Sequence, residues 1–235
     1  MSFYSQFADY YQTIFPFKQP VYNFLLSYDK SHVKDIIDIG CSTGHYTDKL
    51  TKDNYAATGI DFDESMIAWA KKNYPSPSFH TMNMLDIESL NLKYDLAFCI
   101  GNTAAHLTAD EFDLFIRSVY NVLRPGGIWI FQVRNWDYVV TLNDYEFPVL
   151  KAESQIQFIR SYSNIKGDSL QFNTRLMDNE KKVFEQSVPM YPISTERYVD
   201  IHKKHGFTLI DHFGDFKKSP HSPNSDSASI FVLQK

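Results

Sequence analysis

The stretch Ile36-Ile-Asp-Ile-Gly-Cys-Ser-Thr-Gly44 limits what this chain can fold into more than any other part of it. A β-branched apolar run carries an acid, Asp38, and two glycines follow, Gly40 and Gly44. Such a run suits a strand buried on both faces. A helical pattern comes next, and the following apolar run, Tyr55 to Ile60, closes on a second acid, Asp61. The order is strand, tight turn, helix, strand, acid. That is how a doubly wound sheet builds a nucleotide-shaped site.

The rest of the chain repeats the alternation. Strands are predicted over Asp35–Ile39, Tyr55–Ile60, Ser78–Met82, Tyr94–Ile100, Ile128–Val133, Phe207–Phe213 and Ser229–Gln234. Helices are predicted over His45–Thr51, Glu64–Tyr74, Thr108–Leu123 and Ser194–His205, with only a turn or two between Asn83 and Lys93. Thr108 and Glu111 have capping-box spacing, and Arg124-Pro-Gly-Gly127 stops that helix. After Pro148 the pattern changes to alternating strands near 153–163, 169–177 and 183–188, with turn residues between them. The expected fold is α/β: a doubly wound, mostly parallel seven-stranded sheet with an antiparallel β insertion after strand five. The final pair of strands lacks a helix between them and is expected to run antiparallel.

Three segments are expected. Residues 1–30 form an N-terminal lid or flank, aromatic and broken by Pro16 and Pro20, with a helix over Val21–Tyr28. Residues 31–147 and 189–235 form the sheet domain, and 148–188 the insertion as a substrate cap.

A net charge of −5 argues against a partner recognised through a nucleic-acid backbone. No apolar run reaches membrane-spanning length, and no signal peptide is expected from the opening residues. Cys41 and Cys99 lack metal-type spacing and read as buried thiols, so no metal is expected. A cytoplasmic monomer or homodimer acting on a small molecule is the expectation.

Two cofactor classes suit the glycine stretch. A dinucleotide fingerprint needs G-x-G-x-x-G, but Ser42 and His45 stand at its second and third glycines. Asp38 would repel a pyrophosphate and attract a cation. S-adenosylmethionine (SAM) carries a sulfonium and an ammonium. Asp61 is placed to accept from two ribose hydroxyls, or else to cap the helix that begins at Glu64.

Asp38-Ile-Gly-Cys-Ser-Thr-Gly44, the Gly-Ile-Asp61 strand end, Met82-Asn-Met-Leu-Asp86 and Leu123-Arg-Pro-Gly-Gly127 together resemble the successive motifs of class I SAM-dependent methyltransferases. The order and spacing match over about residues 33 to 135. The family's usual second glycine is Ser42 here. The resemblance implies that Gly40 passes beside the methionine moiety with Asp38 near its amino group, and that Asp61 holds the ribose. Asn83 and Met84 would border the adenine, and Gly101 and Asn102 would line the cofactor beyond strand four. Cys41, Gly44, Phe62 and Met66 complete the implied cofactor set. Gln132-Val-Arg134-Asn-Trp136, the insertion and the C-terminal pattern look closest to small-molecule N-methyltransferases of the glycine/sarcosine type. An amine or amino acid is then among the expected acceptors. A SAM-binding sensor or partner subunit without catalysis is one alternative, and a nicotinamide-dependent oxidoreductase another.

On the acceptor side, His106 is the candidate base. Arg134 follows strand five and could grip a substrate carboxylate in a bidentate fork, as could Arg160 or Arg175. Tyr10 and Tyr11 could close the site over the cofactor. Lys217, Lys218 and His221 read as a solvated loop.

Overall fold

The computed structural model describes residues 7–28, 33–152, 155–225 and 228–235. Expectations for residues 1–6 and for a strand beginning at Glu153 lie outside them. The chain opens with α1 (Ala8–Ile14) and α2 (Gln19–Leu26). Pro20 does not break α2. It sits in the first turn, where a missing N–H costs nothing. Then follow β1 (Asp35–Ile39), α3 (His45–Lys52), β2 (Ala56–Asp61), α4 (Glu64–Asn73), β3 (Ser78–Thr81), a 3₁₀ turn (Met84–Leu90) and β4 (Tyr94–Cys99). A second 3₁₀ turn (Thr103–His106) leads to α5 (Ala109–Val122), whose capping box between Thr108 and Glu111 forms as expected.

Strand β5 (Leu123–Arg134) starts earlier than predicted, because Leu123 already pairs with Tyr94. Arg124 to Gly127 then bulge from the register before pairing resumes at Ile128. After α6 (Trp136–Val139) come the five strands of a second sheet: β6 (Tyr145–Glu146), β7 (Leu150–Ala152), β8 (Ile156–Ser163), β9 (Leu170–Asp178) and β10 (Lys181–Met190). This sheet begins before Pro148 and ends after Val188, so the insertion is wider than the turn signals indicated. The chain closes with α7 (Thr195–Lys204), β11 (Thr208–Phe213) and β12 (Ala228–Gln234).

The main sheet has the order β11-β12-β5-β4-β1-β2-β3. Only β12 runs against its neighbours; β3, β2, β1, β4 and β5 are parallel. Strand order reverses between β1 and β4, so the crevice lies at their carboxyl ends. Alternate residues feed two cores, as the pleat requires. Ile37, Ala97, Trp129 and Phe131 face α5 and α7, whereas Ile36, Leu96, Phe98, Ile128 and Ile130 face α2 and α3. A third cluster joins Phe7 and Ile14 of the N-terminal segment, Met66 of α4, and Ile156, Phe158, Leu176 and Phe184 of the second sheet. This apolar seam holds the N-terminal helix and the second sheet against α4.

Gly44 has φ +76°, and a Cβ there would lie 2.5 Å from Cζ of Phe79. Gly44→Ala is therefore expected to destabilise the protein by about 2–4 kcal/mol, through left-handed strain plus overpacking. A urea midpoint unchanged from wild type would show that the Phe79 ring yields freely.

Candidate active site

The loop after β1 is built by the protein's own close contacts. Gly40 has φ +79°, and a Cβ would sit 2.5 Å from Cγ2 of Thr103. Both glycines are thus required by neighbouring side chains, Thr103 and Phe79. Ser42, at the place of the family's second glycine, is itself left-handed at φ +50°. Its amide donates to Oδ2 of Asp61 at 2.8 Å, while Asp63 N donates to Oδ1 at 2.9 Å. Asp61 therefore does not cap α4. Asp63 does, accepting from Ser65 and Met66 amides. The Phe62 amide also bonds this carboxylate, whose two oxygens together can accept about four bonds and so have room for a further donor.

Asp38 is 3% exposed. It accepts a hydrogen bond from the Thr47 hydroxyl at 2.8 Å, and no ion pair to a cation forms among the described residues. Burial pushes its carboxyl up to about 7, and the nearby Asp61 adds to the rise. Burial raises Asp61 as well, against the amides that lower it. Two carboxylates beside one turn, held at high proton affinity without a counter-ion, suit a cationic ligand that also offers hydroxyls. The donor set fits SAM.

Tyr11 stands over this loop. Its hydroxyl bonds Ser42 and lies in the fields of Asp61 and Asp38, and burial raises its pKa. Gln12 adds a bond to the Thr43 hydroxyl at 3.2 Å. Tyr10, paired with Tyr11 in the sequence reading, turns away and bonds Asp178 of the second sheet at 3.2 Å. His45 heads α3 beneath this cover, near the rings of Tyr11, Phe17 and Tyr46, and burial lowers it to about 4. Its side chain projects toward the N-terminal segment, while Gly44 makes the tight contact with β3.

Other candidates divide. Phe62 is 71% exposed, a large ring beside Asp61 left without packing. Asn83 caps the 3₁₀ turn by accepting from Leu85 N at 3.0 Å, and Met84 packs against the core edge. Met66 is 1% exposed and Cys41 7%. Met66 is spent in the seam under α1, Cys41 against Ile67 and Phe79. Both side chains fill packing, which sequence spacing could not separate from lining a groove. Across the crevice, Gly101 N donates to Gln132 Oε1 at 2.8 Å. Asn102, left-handed at φ +67°, accepts from Arg134 N at 2.9 Å. The second sheet meets the crevice here through Tyr162 and Met190, both 3.5 Å from Asn102 Nδ2.

His106 is half-buried, bonded to the Pro189 carbonyl, and burial lowers its pKa. Arg175 pairs with Glu185 at the surface and is out of contention. Arg134 and Arg160 find no carboxylate among the described residues. His221 is not merely solvated. It bonds Ser229 at 2.9 Å and stacks on His212 at 4.0 Å.

Residues 36–127 match the family model described as a methyltransferase domain. Over these residues the chain carries a methyltransferase domain. A protein of Geobacillus sp. (strain WCH70), named provisionally as a methyltransferase, is 22% identical over 224 residues, covering 90% of this chain and 88% of that one. Glycine N-methyltransferase of Rattus norvegicus is 25% identical over 123 residues, which span 45% of this chain and 42% of that enzyme. The chain thus matches under half the length of that relative. A solved SAM-dependent methyltransferase from Clostridium acetobutylicum has the same fold, with a TM-score of 0.82 at 16% identity, covering 99% of each chain. The cofactor of this methyltransferase is SAM, and the nicotinamide alternative falls. No helix among the described residues is long and apolar enough to cross a membrane.

Proposed function

We propose that this methyltransferase transfers the SAM methyl group to a small-molecule acceptor by in-line displacement, with an amine nitrogen as the favoured nucleophile. The observation that carries the reading is the pair Asp38 and Asp61, without a counter-ion among the described residues, on the turn that Tyr11 covers. SAM supplies an already activated methyl group, so the protein's task is alignment. Alignment alone can be worth about 7–11 kcal/mol of barrier.

Asp38 holds the ammonium and Asp61 the ribose hydroxyls. Gly40, Gly101 and Asn102 border the methionine end, and Phe62, Asn83 and Met84 the adenine. Tyr11 shields the loop and, with residues 1–30, acts as the lid. The second sheet caps the acceptor side. His106 is neutral at physiological pH because burial disfavours its cation. With one ring nitrogen on the Pro189 carbonyl, the other is left to receive a proton from the acceptor. The glycine N-methyltransferase relative makes a nitrogen acceptor the first to try.

The test is calorimetric titration with SAM and S-adenosylhomocysteine, followed by methyl transfer to a panel of amines, acids and phenols. Both nucleosides are expected to bind and amines to be methylated fastest. Folded protein that binds neither ends the proposal, and binding without turnover across the panel would make the chain a SAM sensor.

A further inference from the structure

Two guanidinium groups stand over one aromatic ring on the acceptor side. Arg134, at the carboxyl end of β5, has Cζ 5.3 Å from the Phe147 ring centroid and 5.7 Å from that of Tyr145. Arg160, on β8, has Cζ 4.8 Å from the same Phe147 ring. Phe147 is tied to β8 through the backbone as well, because its N donates to the Arg160 carbonyl at 3.1 Å. Ring faces steady the cations but cannot take hydrogen bonds from their edges.

Those edges are left open. Nε and Nη2 of Arg134 and Nε of Arg160 are buried without a hydrogen-bond partner among the described residues. Nε and Nη2 share one edge of the guanidinium, the fork that meets an oxyanion through two parallel bonds. Nη2 of Arg160 donates to the Pro148 carbonyl at 3.2 Å. Arginines elsewhere show the contrast. Arg124 pairs with Asp35 and Asp95, and Arg175 with Glu185. Unpaired donors on buried cations are costly, and two like charges side by side cost more. Arg134 is close enough to weigh against the charged form of Arg160, after burial has already done so. Arg134 N is held by Asn102, which ties this pair to the crevice wall after β4.

We propose that Arg134 and Arg160 together seat a doubly charged oxyanion group of the methyl acceptor, so that the acceptor is a small dianion, either a phosphate monoester or a dicarboxylate. A zwitterionic amino acid brings one carboxylate, which satisfies one fork and leaves the other cation bare. The proposal deepens the methyltransferase reading and rests on it for the role of the seat, while the anion site stands on its own geometry.

The test titrates the full chain calorimetrically with inorganic phosphate, succinate and acetate, with and without saturating S-adenosylhomocysteine. Phosphate or succinate is expected to bind at least about 10-fold more tightly than acetate. Arg134→Gln and Arg160→Gln should each cost about 10-fold or more in that affinity and leave the affinity for S-adenosylhomocysteine unchanged. Phosphate ahead of succinate assigns the phosphate ester; the reverse assigns the dicarboxylate. Equal affinity for all three anions, or unchanged phosphate and succinate affinity in both glutamine variants, overturns the proposal. Should a glutamine variant not fold, Arg134→Lys and Arg160→Lys keep the charge and lose the planar fork. They are expected to weaken binding about 5-fold, and wild-type affinity in both overturns the seat. Anion binding in folded wild-type protein that binds no S-adenosylhomocysteine would sink the cofactor assignment and uphold this site.

Discussion

Asp61→Ala is expected to weaken S-adenosylhomocysteine binding by about 100-fold or more, since two bonds from ribose hydroxyls to a charged acceptor are lost, ~3 kcal/mol together. Part of the loss has a second origin. Each Asp61 oxygen also holds an amide, Ser42 N on one side and Asp63 N on the other. Without them the left-handed Ser42 loses its anchor, and the loop is no longer preorganised. Asp61→Asn keeps one acceptor oxygen and should fall between alanine and wild type. Calorimetry on the three proteins reads the series. Wild-type affinity in Asp61→Ala would remove Asp61 from the ribose role.

Asp38→Asn should separate stability from binding. The Asp38 carboxyl is pushed up to about 7 in the folded protein, chiefly by burial, against an unfolded value near 3.9. The folded state therefore holds the proton more tightly than the unfolded chain. The contribution of Asp38 to stability is fully present below about pH 4 and is lost as pH rises through about 7. At pH 8 the ligand-free protein carries a buried carboxylate at a cost of about a few kcal/mol. Asparagine removes that cost, so the variant should melt higher than wild type at pH 8 and lose most of its affinity for S-adenosylhomocysteine. In the wild type, the cation requires the ionised carboxyl. Affinity should fall about tenfold per pH unit below 7, because protonation of Asp38 competes with the ammonium. Calorimetry at pH 5.5 and 8 measures this, and equal affinities at the two would show that Asp38 faces no cation.

Much of this molecule is written in local pattern. The β-branched run at Ile36–Ile39, the box at Thr108–Glu111 and the helix stop before Arg124 each reflect neighbours in the chain, and each appeared within a few residues of its expected place. The spacing of Asp38, Gly40, Gly44 and Asp61 likewise put these residues at one turn, since strand ends in a parallel sheet converge on one crevice. Side-chain direction was not readable in that way. Tyr10 and Tyr11 are adjacent, yet one bonds Asp178 and the other Ser42, because a helix sends successive residues about 100° apart.

What sequence determined, then, was the sheet, its switch point and the acidic turn: periodicity and turn chemistry act over short stretches, and parallel strands leave few topologies open. Tertiary structure decided the reasons behind the glycines and the shape of the acceptor side. Gly40 and Gly44 are small because Thr103 and Phe79, far along the chain, press against them. Arg134 and Arg160 read as two scattered cations until folding brought Phe147 between their strands. Whether an arginine finds a carboxylate, as Arg175 does, or is left with open donor edges, as Arg134 is, depends on contacts that no local pattern encodes.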